Sequence, residues 1–158
     1  MPIDVRPAGF ADLDTLVAIE NAAFSGDKLS RRSLRRLIGS RTAIVGAAGE
    51  RGVILGYALA LTRRRSGVAR LYSIAVAPEE TGKGVAALLL HYVENAAYRR
   101  GFHTMRLEVR SDNKPAIRLY EKTGYRSFAQ YENYYHDGMS ALRYQKSLCA
   151  LNMENGPK

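Results

Sequence analysis

The chain has 158 residues, 46% of them hydrophobic, which is the size and apolar content of one ordinary globular domain. With 24 Lys and Arg against 15 Asp and Glu, the formal charge of +9 favours anionic partners, whether nucleic acid, an acidic protein surface or a multiply phosphorylated cofactor. The longest apolar runs, VAALLL and VILGYALALT, fall far short of the roughly 20 residues that a membrane-spanning helix needs, and MPIDVRPAG carries no apolar signal segment, so a cytoplasmic protein without a membrane partner is expected.

The single cysteine, Cys149, excludes an internal disulfide and fits a reducing compartment, and the scattered His91, His103 and His136 give no ligand spacing, so no metal is expected. In chain order, Leu13, Leu16, Val17 and Ile19 recur at helical spacing and predict a helix over residues 12–24. SRRSLRRLIG follows with a serine start and a glycine stop, a second short helix with Leu34, Leu37 and Ile38 inward and its arginines in solvent. TAIVGAA, the turn GERG, VILGYALALT, the turn RRRSG and VARLYSIAV read as three strands in an antiparallel meander.

After Pro78 a glycine-bearing loop leads into a long helix over residues 84–100, with Val85, Leu88, Leu89, Tyr92, Val93 and Ala96 on its inward stripe and Gly101 as its stop. HTMRLEVR is a strand, and NKPAIRLYEKTG a helix with Asn113 as N-cap and Gly124 beyond its end, Pro115 being tolerated in the first turn. YRSFAQYENYY and MSALRYQKSL are strands joined at the hairpin-type turn HDG. The polar tail CALNMENGPK is expected to be disordered, leaving residues 1–148 as a single α/β domain with a mostly antiparallel sheet.

The stretch EETGKGVAALLL has the look of a phosphate-gripping loop. An ATPase-type loop fails at two positions, because Ala77 stands where the first glycine is needed and Gly84 replaces the magnesium-binding hydroxyl. The dinucleotide fingerprint is met by Gly82, Gly84 and Ala87, with Glu108 some distance on as an acid for the ribose; yet APEET separates the strand from the first glycine, and too few parallel strands follow. The third possibility is a loop whose backbone N–H groups point at a pyrophosphate from a helix N-terminus.

SIAVAPEETGKGVAALLLHYVE resembles motif A of the GNAT acetyltransferases, and LEVRSDNKPAIRLYEKTGY resembles their motif B. The likeness runs from VRPAGFADLDTLVAIENAAF through ENYYHDG, and motif B with NYY is most similar to the RimI-like branch, which acetylates protein N-termini, ribosomal-protein alanines among them. The resemblance implies an α/β (α+β) fold with a mixed, mostly antiparallel sheet of about seven strands, about four flanking helices, and a V-shaped splay between the fourth and fifth strands. It implies acetyl-CoA as co-substrate, its pyrophosphate on Thr81, Gly82, Lys83, Gly84, Val85 and Ala86, its pantetheine along the backbone of Ile74, Ala75 and Val76, and Asn113 hydrogen-bonding near the pantetheine. Thr81 departs from the family's usual Gln or Arg, and Glu79 and Glu80 precede it; Lys83 and the helix N-terminus offset this in part, so coenzyme A binding is expected to survive in weakened form.

Acetyl transfer by direct attack of an amine needs a neutral amine, an oxyanion partner and a proton for the leaving thiolate. Strand alternation puts Arg106, Glu108 and Arg110 on one face, where Glu108 either neutralises its arginine neighbours or, as the resemblance implies, serves as the base. Tyr120 shares an apolar helical stripe with Ala116 and Ile117; the resemblance makes it the proton donor beside the sulfur, with the N–H of Val76 as oxyanion partner. Tyr134 and Tyr135 are either half-buried strand tyrosines or, with Phe24, walls of an acceptor groove, although FSGDKLSRRSL lacks the aromatic-and-proline pattern of the RimI-like branch. The expected acceptor is a protein or peptide α-amine. The alternatives are a small amine, a lysine, or a catalytically idle basic module for RNA or the ribosome. Nucleic acid is not expected as a substrate, since no aromatic residues interleave with SRRSLRR or TRRRSG, and the oligomeric state, monomer or homodimer, is left open.

Overall fold

The computed structural model describes residues 2–26 and 28–149, so the expectation of a disordered tail falls, Cys149 apart, outside the described residues. Strands β1 (Asp4–Pro7), β2 (Ala43–Glu50), β3 (Val53–Thr62), β4 (Val68–Val76), β5 (Thr104–Arg110), β6 (Arg126–Tyr131) and β7 (Ala141–Ser147) form one sheet in the order β1-β2-β3-β4-β5-β7-β6. Helices α1 (Leu13–Ala23), α2 (Arg31–Ile38), α3 (Val85–Arg99) and α4 (Lys114–Lys122) flank it. The predicted meander is β2–β3–β4, every pair in it antiparallel. Strand β1 was not readable, because four residues ending in a proline carry no usable alternation; it joins the sheet edge beside β2. No helix is long and apolar enough to cross a membrane among the described residues.

Each face of the sheet has its own core. Helix α3 packs Val85, Leu89 and Val93 with Leu55, Leu71, Met105 and Leu107, and Tyr120 of α4 joins this side. Helices α1 and α2 cover the opposite face with Leu16, Ile19, Leu34 and Leu37 on Tyr57 and Leu59. Ser30 caps α2 as the sequence predicts, its side chain accepting from Ser33 N at 3.1 Å.

The stripe on α3 is rotated from the expected one: Leu90, Glu94 and Ala97 are fully buried, whereas Leu88, Tyr92 and Ala96 are half-buried. Periodicity counts a glutamate as an outward residue. Here Glu94 is buried because it accepts from Tyr125 Oη at 2.8 Å and from Lys146 Nζ at 3.1 Å, so the charge is paired and hydrogen-bonded.

The feature that makes room for a site lies in β4. Leu59 pairs with Ser73 and Ala60 with Leu71, so Tyr72 is an extra residue, a β-bulge. The bulge reverses which residues face which core: Ala69 and Leu71 lie on the α3 side, Ile74 and Val76 stay on that side, and Ala75 turns to the α1/α2 side. A bulge also bends its strand and sharpens the twist. Consistent with this, β4 and β5 pair in parallel only from Val68–Arg70 against Thr104–Arg106, and beyond Arg70 the two strands splay into a V.

The C-terminal hairpin corrects one expectation. Strand β6 stops at Tyr131 and does not run through ENYY, because Asn133 takes φ +52° and leaves the extended region. Tyr134 and Tyr135 are therefore loop residues. The HDG turn itself closes as predicted, with Gly138 N donating to Tyr135 O (2.9 Å) and Tyr135 N to Met139 O (3.1 Å).

Candidate active site

The splay opens two adjoining cavities, one of about 1050 Å3 on the α3/α4 side and one of about 1060 Å3 toward α1 and the β6–β7 loop. Both are lined by Ile74, Asn113, Ala116 and Tyr120, so the two meet where the strands part.

The first cavity is built mainly from backbone. Gly82 and Gly84 take φ +84° and +80°, conformations that cost an L-residue, whereas a Cβ at either would meet nothing within 4 Å, so conformation and not space requires glycine. Gly84 is the N-cap of α3 and has no side-chain cap hydrogen bond, which leaves the first N–H groups of a 15-residue helix for an outside acceptor. Thr81, Gly82, Gly84, Val85 and Ala86 line this cavity with Ile74 and Val76 of β4. Past Arg70 the β5-facing backbone of β4 has no strand partner, so polar groups stand ready along the cleft.

Two of the residues expected here put no side chain into the lining: Ala75, of which only the backbone was expected, and Lys83. Ala75 faces the other core because of the bulge, so only its backbone is on offer. Lys83 is not among the lining residues and ion-pairs with Glu80 at 2.7 Å, the bond that raises its pKa. Glu80 itself lines the cavity, its carboxylate paired to Lys83. The cationic side chains that do line the cavity are Arg118 and Lys122 of α4 and, paired to Glu94, Lys146. The i,i+4 spacing of Arg118 and Lys122 is the signal that could have found them.

Asn113 caps α4, its Oδ1 accepting from Ala116 N at 3.3 Å, and so fixes the helix that carries Tyr120. Tyr120 is 8% exposed and held edge-on to Tyr125, with centroids 5.7 Å apart, and against Tyr144. No protein hydrogen bond engages its hydroxyl, and among the described residues no buried side-chain polar atom lacks a partner, so the hydroxyl opens to the cavities. Burial, with a smaller contribution from Tyr135, pushes its pKa up to about 12, so it stays protonated at neutral pH.

The second cavity is built from side chains. Phe24, Tyr134 and Tyr135 all line it, together with Tyr72 and Glu108. Tyr134 stacks on Tyr131 (5.7 Å) and meets Tyr135 edge-on (5.0 Å), so the loop tyrosines form one aromatic wall. Arg110 lies over Tyr135 and bonds Asp137 at 2.6 Å, tying that wall to β5.

Glu108 is 9% exposed at its side chain, with Arg70 2.5 Å from one oxygen and Arg143 3.3 Å from the other. Its partners come from β4 and β7, not from its neighbours Arg106 and Arg110, which bond Gln145 and the pair Asp112 and Asp137. Sequence alternation gave the face correctly but could not give the cross-strand partners.

One residue of this cavity has no counterpart in the sequence reading. Glu20 of α1 is 2% exposed and accepts from Leu29 N at 2.8 Å and from Tyr57 Oη at 2.5 Å, while burial and Glu20 together push the Tyr57 pKa up. It ties the segment between α1 and α2, which bears Phe24, to β3. The only signal in the sequence is a carboxylate one helical turn after Leu16, on the buried side of α1.

The profile described as the Acetyltransferase (GNAT) family matches residues 13–125. The [ribosomal protein bS18]-alanine N-acetyltransferase of Escherichia coli strain K12 is 37% identical over 78 residues, covering 49% of this chain and 53% of that protein. A mycothiol acetyltransferase of Tsukamurella paurometabola is 30% identical over 152 residues, covering 82% of this chain and 50% of that protein. The chain thus spans about half the length of the curated relatives it matches. The crystal structure of the ribosomal-protein-S18-alanine N-acetyltransferase from Escherichia coli superposes with a TM-score of 0.83 at 25% identity, over 93% of this chain and 94% of that one.

Proposed function

The chain belongs to the GNAT acetyltransferase family, and on that premise we propose that residues 1–148 are one catalytic domain that transfers the acetyl group of acetyl-CoA to the α-amino group of a protein or peptide N-terminus. The observation that carries the reading is the meeting of two cavities at Tyr120, one walled by backbone and one by side chains.

The residues present fit coenzyme A. The N–H groups of Gly82 to Ala86 at the α3 N-terminus would hold the pyrophosphate, the open edge of β4 from Ile74 to Val76 the pantetheine, and Arg118 and Lys122 supply positive charge nearby. When bound, the cofactor supplies an electrophilic acyl carbon and a thiolate leaving group. Tyr120 then holds a proton at its hydroxyl for the departing sulfur, a role suited to a phenol whose pKa stands at about 12. The Val76 N–H is the proposed partner for the acyl oxygen.

The state of Glu108 favours an α-amine. With a guanidinium on each oxygen it is held where it can orient the amine or take its proton through water. An α-amine with a pKa of roughly 8 is about a tenth neutral at pH 7, whereas a lysine with a pKa of roughly 10.4 is neutral at only on the order of 0.04%. An acceptor that arrives partly deprotonated matches this site. Phe24, Tyr134 and Tyr135 flank the path by which such a peptide would enter.

The second reading is a small-amine acceptor, favoured by the likeness to a mycothiol acetyltransferase over most of the chain. Mass spectrometry after incubation with acetyl-CoA separates the two, using peptides with free N-termini, lysine peptides with blocked N-termini, and small amines. Acetylation of the free N-termini supports the reading, and acetylation confined to small amines or blocked lysine peptides overturns it.

A further inference from the structure

We propose that the arginine-rich end of the sheet, at the far end of β4 from the glycine loop, is a docking surface for the phosphate backbone of folded RNA. The β3–β4 turn puts Arg63, Arg64 and Arg65 in solvent. Thr62 N donates to Thr42 O at 2.7 Å, which brings Arg41 alongside. On the other flank Gly67 O accepts from His103 N (2.8 Å) and Thr104 N (3.2 Å), which brings the end of α3 with Arg99 and Arg100. Segments far apart in sequence thus place exposed arginines at one pole. Strand β4 has nine residues, about 30 Å at roughly 3.3 Å each, and it separates this pole from the glycine loop.

Three observations bear on what this pole can bind. First, Arg41, Arg63, Arg64, Arg65 and Arg99 are exposed, gather at one end of the sheet, and among the described residues form no ion pair, so their guanidinium groups are not neutralised within the chain. Arg100 is partly engaged by carbonyls, donating to Arg41 O (3.3 Å) and Ala43 O (3.2 Å). Second, Arg65 takes φ +64° in a turn where Gly or Asn would be the relaxed choice, next to two like charges that repel it. Third, every cation named is arginine, whose planar fork matches phosphate oxygens.

The apolar surroundings favour RNA over other anions. Of the large exposed apolar side chains, Val53 lies at the β2–β3 turn, and Tyr72, Phe128, Tyr131 and Tyr134 lie on β4, β6 and the β6–β7 loop. Only Phe10, in contact with Gly39, comes near the pole. Among the described residues there is no apolar face there to enter a membrane and no row of rings to stack unpaired bases. Backbone contact with a folded, A-form RNA needs neither.

The test is fluorescence anisotropy with a fluorescein-labelled RNA hairpin of about 20 base pairs across 50–200 mM KCl, using the full chain and the variant Arg63→Ser/Arg64→Ser/Arg65→Ser. The expected result is binding whose logarithm falls linearly with log salt, a variant weakened at least tenfold, and a salt slope shallower by about 2 to 3, close to one per lost phosphate contact. Acetyl-CoA titration of the same variant should be unchanged, which keeps this result separate from that of the catalytic reading. A second variant, Arg41→Ser/Arg99→Ser, should weaken RNA binding as well, and circular dichroism checks that both variants are folded. Absence of RNA binding by the wild type overturns the proposal. So does equal affinity of the variants, or capture by anionic phospholipid vesicles or polyglutamate without capture of RNA.

Discussion

The two cavities that meet at Tyr120 are made of different material. The one beside α3 is backbone: two left-handed glycines, an uncapped helix N-terminus and the unpaired edge of a bulged strand. The one beside the β6–β7 loop is side chain: an aromatic wall, a carboxylate between two arginines, and a buried glutamate tying a loop to the sheet. Backbone recognition survives substitution at most positions. Side-chain recognition changes with every substitution, which suits the half of a transferase that must choose its acceptor.

Substitutions at the junction and in each half can break or sharpen that contrast. The largest effect is expected at the junction, where Tyr120→Phe removes the proton while keeping the ring. Turnover should fall by roughly 10²–10³ with little change in acetyl-CoA affinity, read by steady-state kinetics beside calorimetry. An unchanged turnover would deny Tyr120 its role. The same residue makes a prediction about pH. Its folded pKa of about 12 exceeds the ordinary value near 10, so its contribution to stability is fully present below pH 10 and is lost as pH rises toward 12. Urea unfolding between pH 9 and pH 11.5 should show that decline, and Tyr120→Phe should flatten it.

Next in size is Gly84→Val, which forces a β-branched residue to φ +80°. At roughly 1–2 kcal/mol of strain, acetyl-CoA affinity should fall about tenfold, with the acceptor KM unmoved. Glu20→Gln acts on the other half, because an amide can accept one of the two donors at Leu29 N and Tyr57 Oη but not both as the carboxylate does. Losing about 1 kcal/mol of loop restraint should raise the acceptor KM roughly fivefold, while kcat and acetyl-CoA affinity stay as they were. A fall in kcat instead would place Glu20 in the chemistry and blur the division. The smallest effect is expected from Lys83→Ala, less than about twofold in acetyl-CoA affinity, since its ammonium is given to Glu80.

The backbone half could be read in the sequence because its signals are local. Gly82 and Gly84 ahead of an apolar run, Asn113 two residues before Pro115, and Tyr120 within AIRLYEKTGY each report a conformation set within a few residues. The side-chain half was readable only as a list of residues. Phe24, Glu108, Tyr134 and Tyr135 converge as expected, yet the strand drawn through ENYY was too long, and the partners of Glu108 were sought along β5 when they lie across it.

The sequence by itself determined the helices with their caps, the meander and the glycine loop, since each follows from a propensity or a period that neighbouring residues express together. Only the tertiary structure decided where β4 and β5 part, why Glu94 and Glu20 can be buried, and which arginines hold Glu108. Those outcomes turn on pairings between residues far apart in the chain, and a charge becomes tolerable in the interior only when folding has already brought its partner within a hydrogen bond.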